Sequence, residues 1–191
     1  YFFKMGAYQD WLVGYIEAHP GFIRPESRRN EVLGFLRQPL GDLCISRPID
    51  RLAWGIPLPF DPDYVTYVWF DALLNYVTGP GYNPDGVSPD FNHFWPADVH
   101  LVGKEIFRFH GVIWPAMLMA LGVELPRKVY AHGWWTINGD KMSKSKGNFI
   151  KAEDVVQEYG VDALRYFIFR EVSFGKDGDF SMDAFKRRYN A

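Results

Sequence analysis

β-Rich and helical segments alternate along the chain from residue 64 onward, and this alternation restricts the folds that the chain can adopt. The run 65–69 is rich in β-branched and aromatic residues and leads into a helical segment at 72–76. Two further strands are predicted at 99–103 and 128–132. The order strand, helix, strand predicts a parallel sheet of the doubly wound α/β kind, in which ligands bind beyond the carboxyl ends of the strands.

The helix between the strands at 99–103 and 128–132 is expected to begin at Gly103-Lys104-Glu105. It should bend or step at Pro115, because proline lacks the N–H of an interior helical hydrogen bond. The sequence also predicts a turn-rich insert at 79–90 and a mostly helical tail, in which the Ser181 hydroxyl caps the last helix. Other predicted elements are strands at 1–5 and 42–46 and helices at 8–18, 27–37, 152–159 and 162–171.

The bulk composition excludes several classes of protein. With 48% hydrophobic residues among 191, the chain can build a substantial core, which excludes intrinsic disorder. A net charge of -2 argues against a histone-like or ribosomal binder, so any nucleic-acid contact needs a local basic patch. Cys44 is the single cysteine, so an intrachain disulfide and a cysteine-based zinc site are excluded and a reducing compartment, the cytoplasm, is expected. We expect no membrane partner, since no apolar run reaches roughly 20 residues and no signal-peptide pattern occurs.

The segment 138–147 places three lysines and two serines between Gly139 and Gly147. Ammonium groups act as mobile point charges toward phosphate, and the glycines give the loop freedom to close over a polyphosphate. A solvated Lys/Ser turn is the alternative for any lysine-rich loop. The order Lys-Met-Ser-Lys-Ser at 141–145 favours the phosphate loop, because it is similar to the second signature motif of the class I aminoacyl-tRNA synthetases.

Four further blocks, together with this loop, resemble the bacterial methionyl-tRNA synthetases over essentially the whole chain. They are 67–76 (YVWFDALLNY), 100–110 (HLVGKEIFRFH), 114–118 (WPAML) and 162–166 (DALRY). The resemblance implies that residues 1–45 end an inserted connective domain and that residues 46–150 form the second half of a Rossmann-like catalytic fold. Residues 151–191 are then a helical segment that leads to an all-α anticodon-binding bundle.

Two features of the family are not found in this sequence, namely the His-Ile-Gly-His-type signature that cradles ATP and the cysteine ligands of a zinc knuckle. We therefore expect a fragment that holds half of a site. The fragment alone is expected to be inactive, because positioning both reactants carries much of the rate. Structural zinc is expected only in the missing part.

The resemblance implies a methionine–tRNA ligase, which joins methionine and ATP as methionyl adenylate, releases pyrophosphate and passes the methionyl group to tRNA(Met). Mg²⁺ accompanies ATP in this reaction. Negative charge builds up on the phosphoryl oxygens, and preorganised cations are the main means of stabilising it. By resemblance, Lys141 and Lys144 supply those cations and Ser143 and Ser145 donate hydrogen bonds, whereas Lys146 lies outside the motif and is expected to be a solvated charge.

Methionine presents an apolar, polarizable thioether, so a selective pocket should be aromatic with one weak donor near the sulfur. The family's pocket positions fall on Trp69, Ala72, Tyr76, Phe109, His110 and Trp114. Tyr76 and His110 carry the polar groups of this set. A plain aromatic core is the alternative interpretation of such runs.

The resemblance places the nucleotide on a second set of residues. They are Gly103, Glu105, His132, Gly133 and Trp135, with the loop residues Lys141, Met142, Ser143, Lys144 and Ser145. The Glu105 carboxylate is expected to accept from a ribose hydroxyl, and Gly103 is expected to let the nucleotide approach the backbone. Asp71 is either a site carboxylate or a helix cap.

Two other functions stay open at this point. One is a class I synthetase for leucine, isoleucine, valine or cysteine, which would share the lysine loop. The other is a synthetase-like tRNA-binding module without catalysis. The basic run Lys186-Arg187-Arg188 either meets a tRNA stem or forms a solvated helix face.

Overall fold

The computed structural model describes residues 1–66, 69–137, 139–143 and 147–191. Within these ranges the chain forms two compact units. The first contains Tyr1–His100 and Ile106–Val129, and the second contains Leu101–Glu105 and Tyr130–Ala191. The short segment Leu101–Glu105 therefore belongs to the second unit, although its neighbours on both sides belong to the first.

The strands of the first unit are short. They are Phe2–Phe3 (β1), Ile23–Arg24 (β2), Leu43–Cys44 (β3), Ser46–Pro48 (β4), Ile56–Leu58 (β5) and Asp61–Thr66 (β6). The α-helices of this unit are Gln9–Ala18 (α1), Glu26–Phe35 (α2), Trp69–Thr78 (α3), Pro89–Phe94 (α4) and Trp114–Leu121 (α5). A 3-10 turn at Met5–Tyr8 precedes α1, and a π-helical turn at Phe109–Ile113 runs into α5. The helices predicted at 8–18 and 27–37 are thus confirmed to within two residues.

Strand β6 is the centre of an antiparallel sheet in the order β4-β6-β5, where Ser46 and Ile56 both lie opposite Thr66. The predicted strand at 65–69 is wrong at Trp69, which is the first residue of α3; Tyr67 and Val68 lie outside the described residues. Helical spacing prevails over the β-propensity of this segment, because Leu73 and Val77, four residues apart, bury one face of the helix.

The core of the first unit is built from helix faces. Leu12 and Ile16 lie four residues apart on the buried side of α1, and Val32 is buried on α2. Helix α5 is buried at five consecutive positions, Trp114 to Leu118. A helix that is apolar all round is typical of an interior position.

The helix predicted to begin at Gly103-Lys104-Glu105 starts later than expected. The N–H of Lys104 donates to the carbonyl of His132 at 3.0 Å, so the backbone there continues the strand pairing, and helical structure begins only at Phe107. The predicted step at Pro115 is present, because the π-helical turn Phe109–Ile113 gives way to α5 with Pro115 in its first turn. An extra residue in a helical turn accommodates the N–H that proline lacks.

The second unit contains five short strands, of which two begin with a residue of the first unit. They are His100–Gly103 (β7), Val129–His132 (β8), Trp135–Ile137 (β9), Asp140–Lys141 (β10) and Gly178–Asp179 (β11). The helices are Ala152–Tyr159 (α6), Val161–Glu171 (α7) and Met182–Tyr189 (α8). The strands predicted at 99–103 and 128–132 and the helices predicted at 152–159 and 162–171 are confirmed.

Strands β7 and β8 run parallel, as the strand-helix-strand order predicted. The N–H of His100 donates to Lys128 O at 2.8 Å, and the N–H of Lys104 donates to His132 O at 3.0 Å. Both strands advance by four residues between these two bonds, which is the pattern of a parallel pair. The sheet order is β2-β8-β7, and the architecture is α/β.

A second small sheet, in the order β10-β9-β11, was not predicted from the sequence. Strands β9 and β10 form an antiparallel hairpin in which Lys141 lies opposite Thr136, and β11 runs parallel to β9. Gly139 in the hairpin turn has a φ of 79°, a conformation that glycine adopts without strain. The Asp179 carboxylate accepts from the Gly139 N–H at 2.9 Å and from the Thr136 hydroxyl at 2.7 Å, so β11 holds the turn from which the lysine loop begins.

The core of the second unit lies among α6, α7 and α8. Phe167 is 1% exposed, and its ring centroid lies 5.3 Å from that of Phe180 and 5.2 Å from that of Phe185. The predicted cap is confirmed, since Ser181 Oγ accepts from the Ala184 N–H at 3.2 Å. In the part of the chain that the structure describes, no helix is long and apolar enough to cross a membrane.

We expect Phe167→Ala to lower the free energy of unfolding of the second unit by about 3–5 kcal/mol, because the substitution leaves a cavity in this core. Phe169 lies on the same helix and is 73% exposed, so Phe169→Ala is the matched control and should cost about 0.5 kcal/mol or less. Hydrogen exchange of the α7 amides, followed as a function of urea, measures both variants. Equal losses would show that burial of the Phe167 ring is not what stabilises α7.

Candidate functional site

The six residues predicted to surround methionine all lie in the first unit, on two helical segments. Trp69, Ala72 and Tyr76 lie on α3 at spacings of three and four residues, so they share one helix face. Phe109 and His110 lie in the π-helical turn, and Trp114 is the first residue of α5.

The rings of this set are in contact with one another. Trp69 stacks on Phe109 with centroids 4.2 Å apart, and the Tyr76 centroid lies 5.6 Å from His110 and 6.0 Å from Trp114. Trp114 is fully buried, whereas Tyr76 is 37% exposed and Ala72 is exposed. The structure therefore brings five predicted rings into one cluster, with Ala72 on the same helix face. The π-helical turn matters here because it sets the direction of the Phe109 and His110 side chains.

Hydrogen bonds show which polar atoms of the cluster carry a proton and which accept one. His110 Nδ1 lies 2.9 Å from Ile106 O, and a carbonyl can only accept, so Nδ1 carries the proton and donates. The neutral ring then has its lone pair on Nε2, which accepts from the Tyr76 hydroxyl at 2.9 Å. Trp114 Nε1 donates in turn to His100 Nε2 at 3.1 Å.

Burial keeps both histidines neutral. Loss of water, together with the smaller effect of the neighbouring His110, lowers the pKa of His100 to about 4. Burial also lowers the pKa of His110, although its bond to the Ile106 carbonyl acts in the opposite direction. The pKa of Tyr76 is raised by burial, so its hydroxyl keeps its proton. At neutral pH the cluster is uncharged and its hydrogen bonds are directional.

His100 was not among the predicted site residues. It starts β7 and is 5% exposed, and its ring centroid lies 4.4 Å from Tyr76. A cavity of about 730 Å³ is lined by Tyr76, Trp95, His100 and the turn at 79–81. This volume is in the range of small-molecule pockets, roughly 300–1,000 Å³. A lone histidine at the start of a strand gives no sequence signal, since its role depends on Trp114 and Tyr76.

The second unit holds a charged cluster around Trp134. The indole Nε1 donates to Glu105 Oε2 at 2.7 Å, and the Lys104 and Lys141 ammonium groups lie 4.1 Å and 4.3 Å from the ring centroid. Asp177 forms an ion pair with Lys104 and accepts from the Trp134 backbone N–H at 2.8 Å. The indole hydrogen bond lowers the pKa of Glu105, and its own backbone N–H and the charges of Lys141 and His132 act in the same direction. Glu105 is therefore an ionised acceptor.

Besides Glu105, three predicted nucleotide residues lie close to Trp134 in the chain or in space, namely Gly103, His132 and Gly133. Gly103 ends β7, and a methyl group there would meet the Glu105 carboxylate at 2.5 Å, so its lack of a side chain gives that carboxylate room. His132 ends β8, and its Nδ1 donates to the carbonyl of Gly133 at 2.8 Å. These residues lie at the carboxyl ends of two parallel strands, where ligands of such sheets bind.

Other predicted nucleotide residues lie elsewhere in the second unit. The Trp135 ring packs against Phe167 and Phe180 with centroids 5.8 Å and 6.4 Å away, and Met142 packs against the same core. The Ser143 N–H donates to Asn148 Oδ1 at 2.9 Å. Lys144 and Ser145, like Lys146, lie outside the described residues.

Trp134 was missed because the sequence gives two adjacent tryptophans without saying which one faces the core. Successive residues of an extended chain point to opposite sides, so one of the pair has to face away from the core that buries the other. Recognising the strand at Trp135–Ile137 would have supplied that signal.

A metal centre is not supported by these residues. Among the described ranges no group of three or more His, Cys, Asp or Glu side chains could hold a metal ion. Cys44 is exposed, and it accepts from the Arg47 guanidinium at 3.2 Å. The described side chains therefore do not fit structural zinc.

Comparison with known proteins gives a consistent result over the whole chain. The profile of the family "tRNA synthetases class I (M)" matches residues 1–191. Methionine–tRNA ligases of Caldanaerobacter subterraneus subsp. tengcongensis and Thermotoga maritima are 56% and 51% identical over 191 residues, which is 100% of this chain and 30% of each relative. A structure of Mycobacterium tuberculosis methionyl-tRNA synthetase in complex with methionyl-adenylate superposes with a TM-score of 0.93 at 50% identity, covering 100% of this chain and 37% of that one. The chain therefore spans about a third of the length of these relatives.

The neutral histidines predict acid sensitivity of the first unit. His100 takes up a proton near pH 4 in the folded chain and near the ordinary value of 6.5 in the unfolded chain, so the unfolded state binds more protons between these values. The stability that this difference contributes is present above about pH 6.5 and is lost as the pH falls toward about 4. Between about pH 7 and about pH 5 the expected loss is about 2 kcal/mol.

His100→Asn tests this assignment, since the amide keeps an acceptor for Trp114 but does not titrate. We expect the variant to show a flatter dependence of unfolding free energy on pH in urea titrations. His93→Asn is the matched control at an exposed position and should behave like the unsubstituted chain. If His100→Asn loses stability with acid as steeply as the unsubstituted chain, another group is responsible.

Proposed function

Because the chain belongs to the class I tRNA synthetases (M), we propose that it acts, within a protein of the relatives' length, as a methionine–tRNA ligase. The observation that carries this proposal is that all 191 residues match methionine–tRNA ligases at 51–56% identity. The related Mycobacterium tuberculosis enzyme was solved with methionyl-adenylate, the intermediate of the proposed reaction. In that reaction the methionine carboxylate attacks the α-phosphorus of ATP, pyrophosphate leaves, and the terminal hydroxyl of tRNA(Met) then displaces AMP.

We extend the proposal to the organisation of the chain. Residues 1–45 would end a connective domain, 46–150 would form the second half of a Rossmann-like catalytic fold, and 151–191 would lead to an anticodon-binding bundle that is not part of these residues. The parallel pair β7 and β8 supports the catalytic assignment, because its carboxyl ends carry the charged cluster. A cytoplasmic location, predicted from the single cysteine, belongs to the same proposal.

The charged cluster of the second unit is proposed to bind ATP. Lys141 and Lys144 would neutralise the charge that develops on the phosphoryl oxygens, with hydrogen bonds from Ser143 and Ser145. The ionised Glu105 would accept from a ribose hydroxyl, and the other proposed contacts are Gly103, His132, Gly133, Trp135 and Met142. Mg²⁺ would arrive with ATP and neutralise part of its charge.

The neutral cluster of the first unit is proposed to bind the methionine side chain. Two of its donors are already used inside the protein, since His110 Nδ1–H is bound to Ile106 O and Trp114 Nε1–H is bound to His100. The Tyr76 hydroxyl donates to His110 from a partly exposed position, and rotation about its C–O bond would turn the same proton to a thioether. Trp69, Ala72 and Phe109 would supply apolar contact with the ligand.

The basic run 186–188 is proposed to meet tRNA(Met). Arg188 on α8 forms an ion pair with Glu171 on α7, with Nε and Oε2 2.8 Å apart. A solvated helix face is the commoner explanation of such a run, so the run carries no weight in the proposed function.

The decisive experiment is ATP–pyrophosphate exchange by the full-length protein with methionine, leucine, isoleucine, valine and cysteine in turn. We expect exchange that depends on methionine. Exchange with another of these amino acids would identify a different class I synthetase. Exchange with none of them would favour a tRNA-binding module without catalysis.

We expect Lys141→Ala or Lys144→Ala to slow adenylate formation by about 100-fold or more, the effect of removing one charge-stabilising donor. Methionine affinity should stay unchanged, because the loop meets phosphate. Stopped-flow single-turnover kinetics measures the rate, and Lys128→Ala, at an exposed position of the first unit, is the control. Unchanged rates in both loop variants would remove these lysines from the mechanism.

We expect Tyr76→Phe to raise the Michaelis constant for methionine more than that for leucine, because leucine has no acceptor for the lost proton. Size alone discriminates weakly, since one methylene is worth about 1–3 kcal/mol. Tyr82→Phe removes a hydroxyl elsewhere in the same unit and should change neither constant. Equal losses for the two amino acids in competition assays would leave Tyr76 with a packing role.

A further inference from the structure

Trp134 is held by three hydrogen bonds, two through its backbone and one through its indole. Its backbone N–H donates to Asp177 at 2.8 Å, its carbonyl accepts from the Gly178 N–H at 2.8 Å, and its Nε1 donates to Glu105 at 2.7 Å. Both backbone partners come from the segment just before and at the start of β11. The ring is therefore a fixed surface between two acidic side chains and two ammonium groups.

The two lysines at this ring are held differently. Lys104 follows β7 directly, its backbone N–H is bonded to His132, and its ammonium is paired with Asp177. Lys141 lies on β10, its backbone is paired with Thr136 of β9, and its carbonyl accepts from Asn148 Nδ2 at 3.2 Å. Its ammonium lies 4.3 Å from the Trp134 ring centroid, and its charge acts on Glu105. The Lys104 ammonium is thus held by an ion pair, whereas the Lys141 ammonium lies over the ring.

The strengths of the competing contacts favour transfer of the Lys141 ammonium from the Trp134 ring to phosphate. An ammonium over an indole gains about 0.5–2 kcal/mol, depending on how far it is desolvated. A hydrogen bond to a charged group gains about 1.5–3 kcal/mol, and a polyphosphate offers several. The ring contact is therefore strong enough to concentrate the Lys141 ammonium at one place but too weak to keep it from phosphate.

We propose that Trp134 is a positioning residue that holds the Lys141 ammonium in the nucleotide-free protein and releases it to the phosphates of ATP. This inference rests on the proposed function of Lys141. Glu105 couples nucleotide binding to release of the Lys141 ammonium, because the carboxylate that would accept from ribose is the acceptor of the Trp134 indole N–H. A nucleotide that engages Glu105 weakens the hold on the indole at the moment when its phosphates attract Lys141.

Fluorine NMR of the full-length protein labelled with 5-fluorotryptophan tests the resting contact without reference to activity. The Trp134 resonance is assigned from its loss in Trp134→Phe. Lys141→Met removes the charge and keeps the chain length, and we expect it to shift the Trp134 resonance in nucleotide-free protein. ATP should shift the unsubstituted protein's resonance in the same direction, and it should shift that of Lys141→Met less.

Kinetics supplies the second readout. Because the ring contact is made in the nucleotide-free protein and given up when ATP binds, Trp134→Leu should raise kcat/KM for ATP by about 3- to 30-fold, the range that corresponds to loss of one cation–π contact, and should leave the methionine KM unchanged. Trp134→Phe keeps a ring and should raise this kcat/KM less than Trp134→Leu does. Trp54→Leu, at a tryptophan of the first unit that is 74% exposed, is the matched control and should have no effect.

The outcomes separate failure of this inference from failure of the proposed function. A Trp134 resonance that does not respond to Lys141→Met, or one that responds to Lys141→Met but not to ATP, overturns the inference even in a protein that catalyses methionine-dependent exchange. A kcat/KM for ATP in Trp134→Leu that is equal to or below that of the unsubstituted protein overturns it as well. Absence of exchange with every amino acid in the unsubstituted protein is a failure of the proposed function, and the fluorine shift on Lys141→Met still reports whether Lys141 rests on the ring.

Discussion

Parallel pairing of β7 with β8 is the constraint on which the charged cluster depends. The pairing continues one residue past the end of β7, through the bond from the Lys104 N–H to the carbonyl of His132, the last residue of β8, and this extra bond delays the start of the following helix. Lys104 and Glu105 therefore form a turn at the end of the sheet. Trp134 follows β8 by two residues. Glu105 can contact its indole because the segments that follow β7 and β8 leave the sheet at the same edge.

Burial determines the character of the first-unit cluster in a different way. A charged imidazole is costly where water is excluded, so His100 and His110 are neutral and each has one donor nitrogen and one acceptor nitrogen. One carbonyl, Ile106 O, then sets the direction of the bonds, because it forces the proton of His110 onto Nδ1 and leaves Nε2 to accept from Tyr76. A backbone atom four residues away thus decides which group of the cluster has a proton to offer.

The sequence predicted the larger elements of the fold well, because helical spacing and β-rich runs report burial of a face. The helices α1, α2, α6 and α7 and the strands β7 and β8 are of this kind. Strands of two or three residues, such as β10 and β11, are too short to show a period, so the hairpin that carries Lys141 was not predicted. The start of the helix after β7 was also wrong, since a single backbone bond to His132 cannot be recognised from residue types.

Side-chain partnerships were harder to predict than elements. The resemblance selected the rings that form the neutral cluster, and the structure brings these together. It gave no information on His100, whose position depends on Trp114, or on Trp134, whose ring meets side chains from residues 104, 105 and 141. Contacts of this kind join segments that are distant in the chain, and no local pattern in any one segment records them.

The two clusters hold their polar groups differently, by directed hydrogen bonds in the first unit and by a weak ring contact at Lys141 in the second. The chemistry of the proposed ligands accounts for the difference. A thioether offers one weak acceptor and an apolar surface, so a site that distinguishes it needs rings in fixed positions and a donor that can be directed at the sulfur. The first-unit cluster has these, since His110, Tyr76 and Trp114 each use a directed bond. A polyphosphate changes its charge distribution as the reaction proceeds, so it is better served by a cation that can follow the charge. Lys141, whose ammonium lies against a ring that binds it weakly, is such a cation.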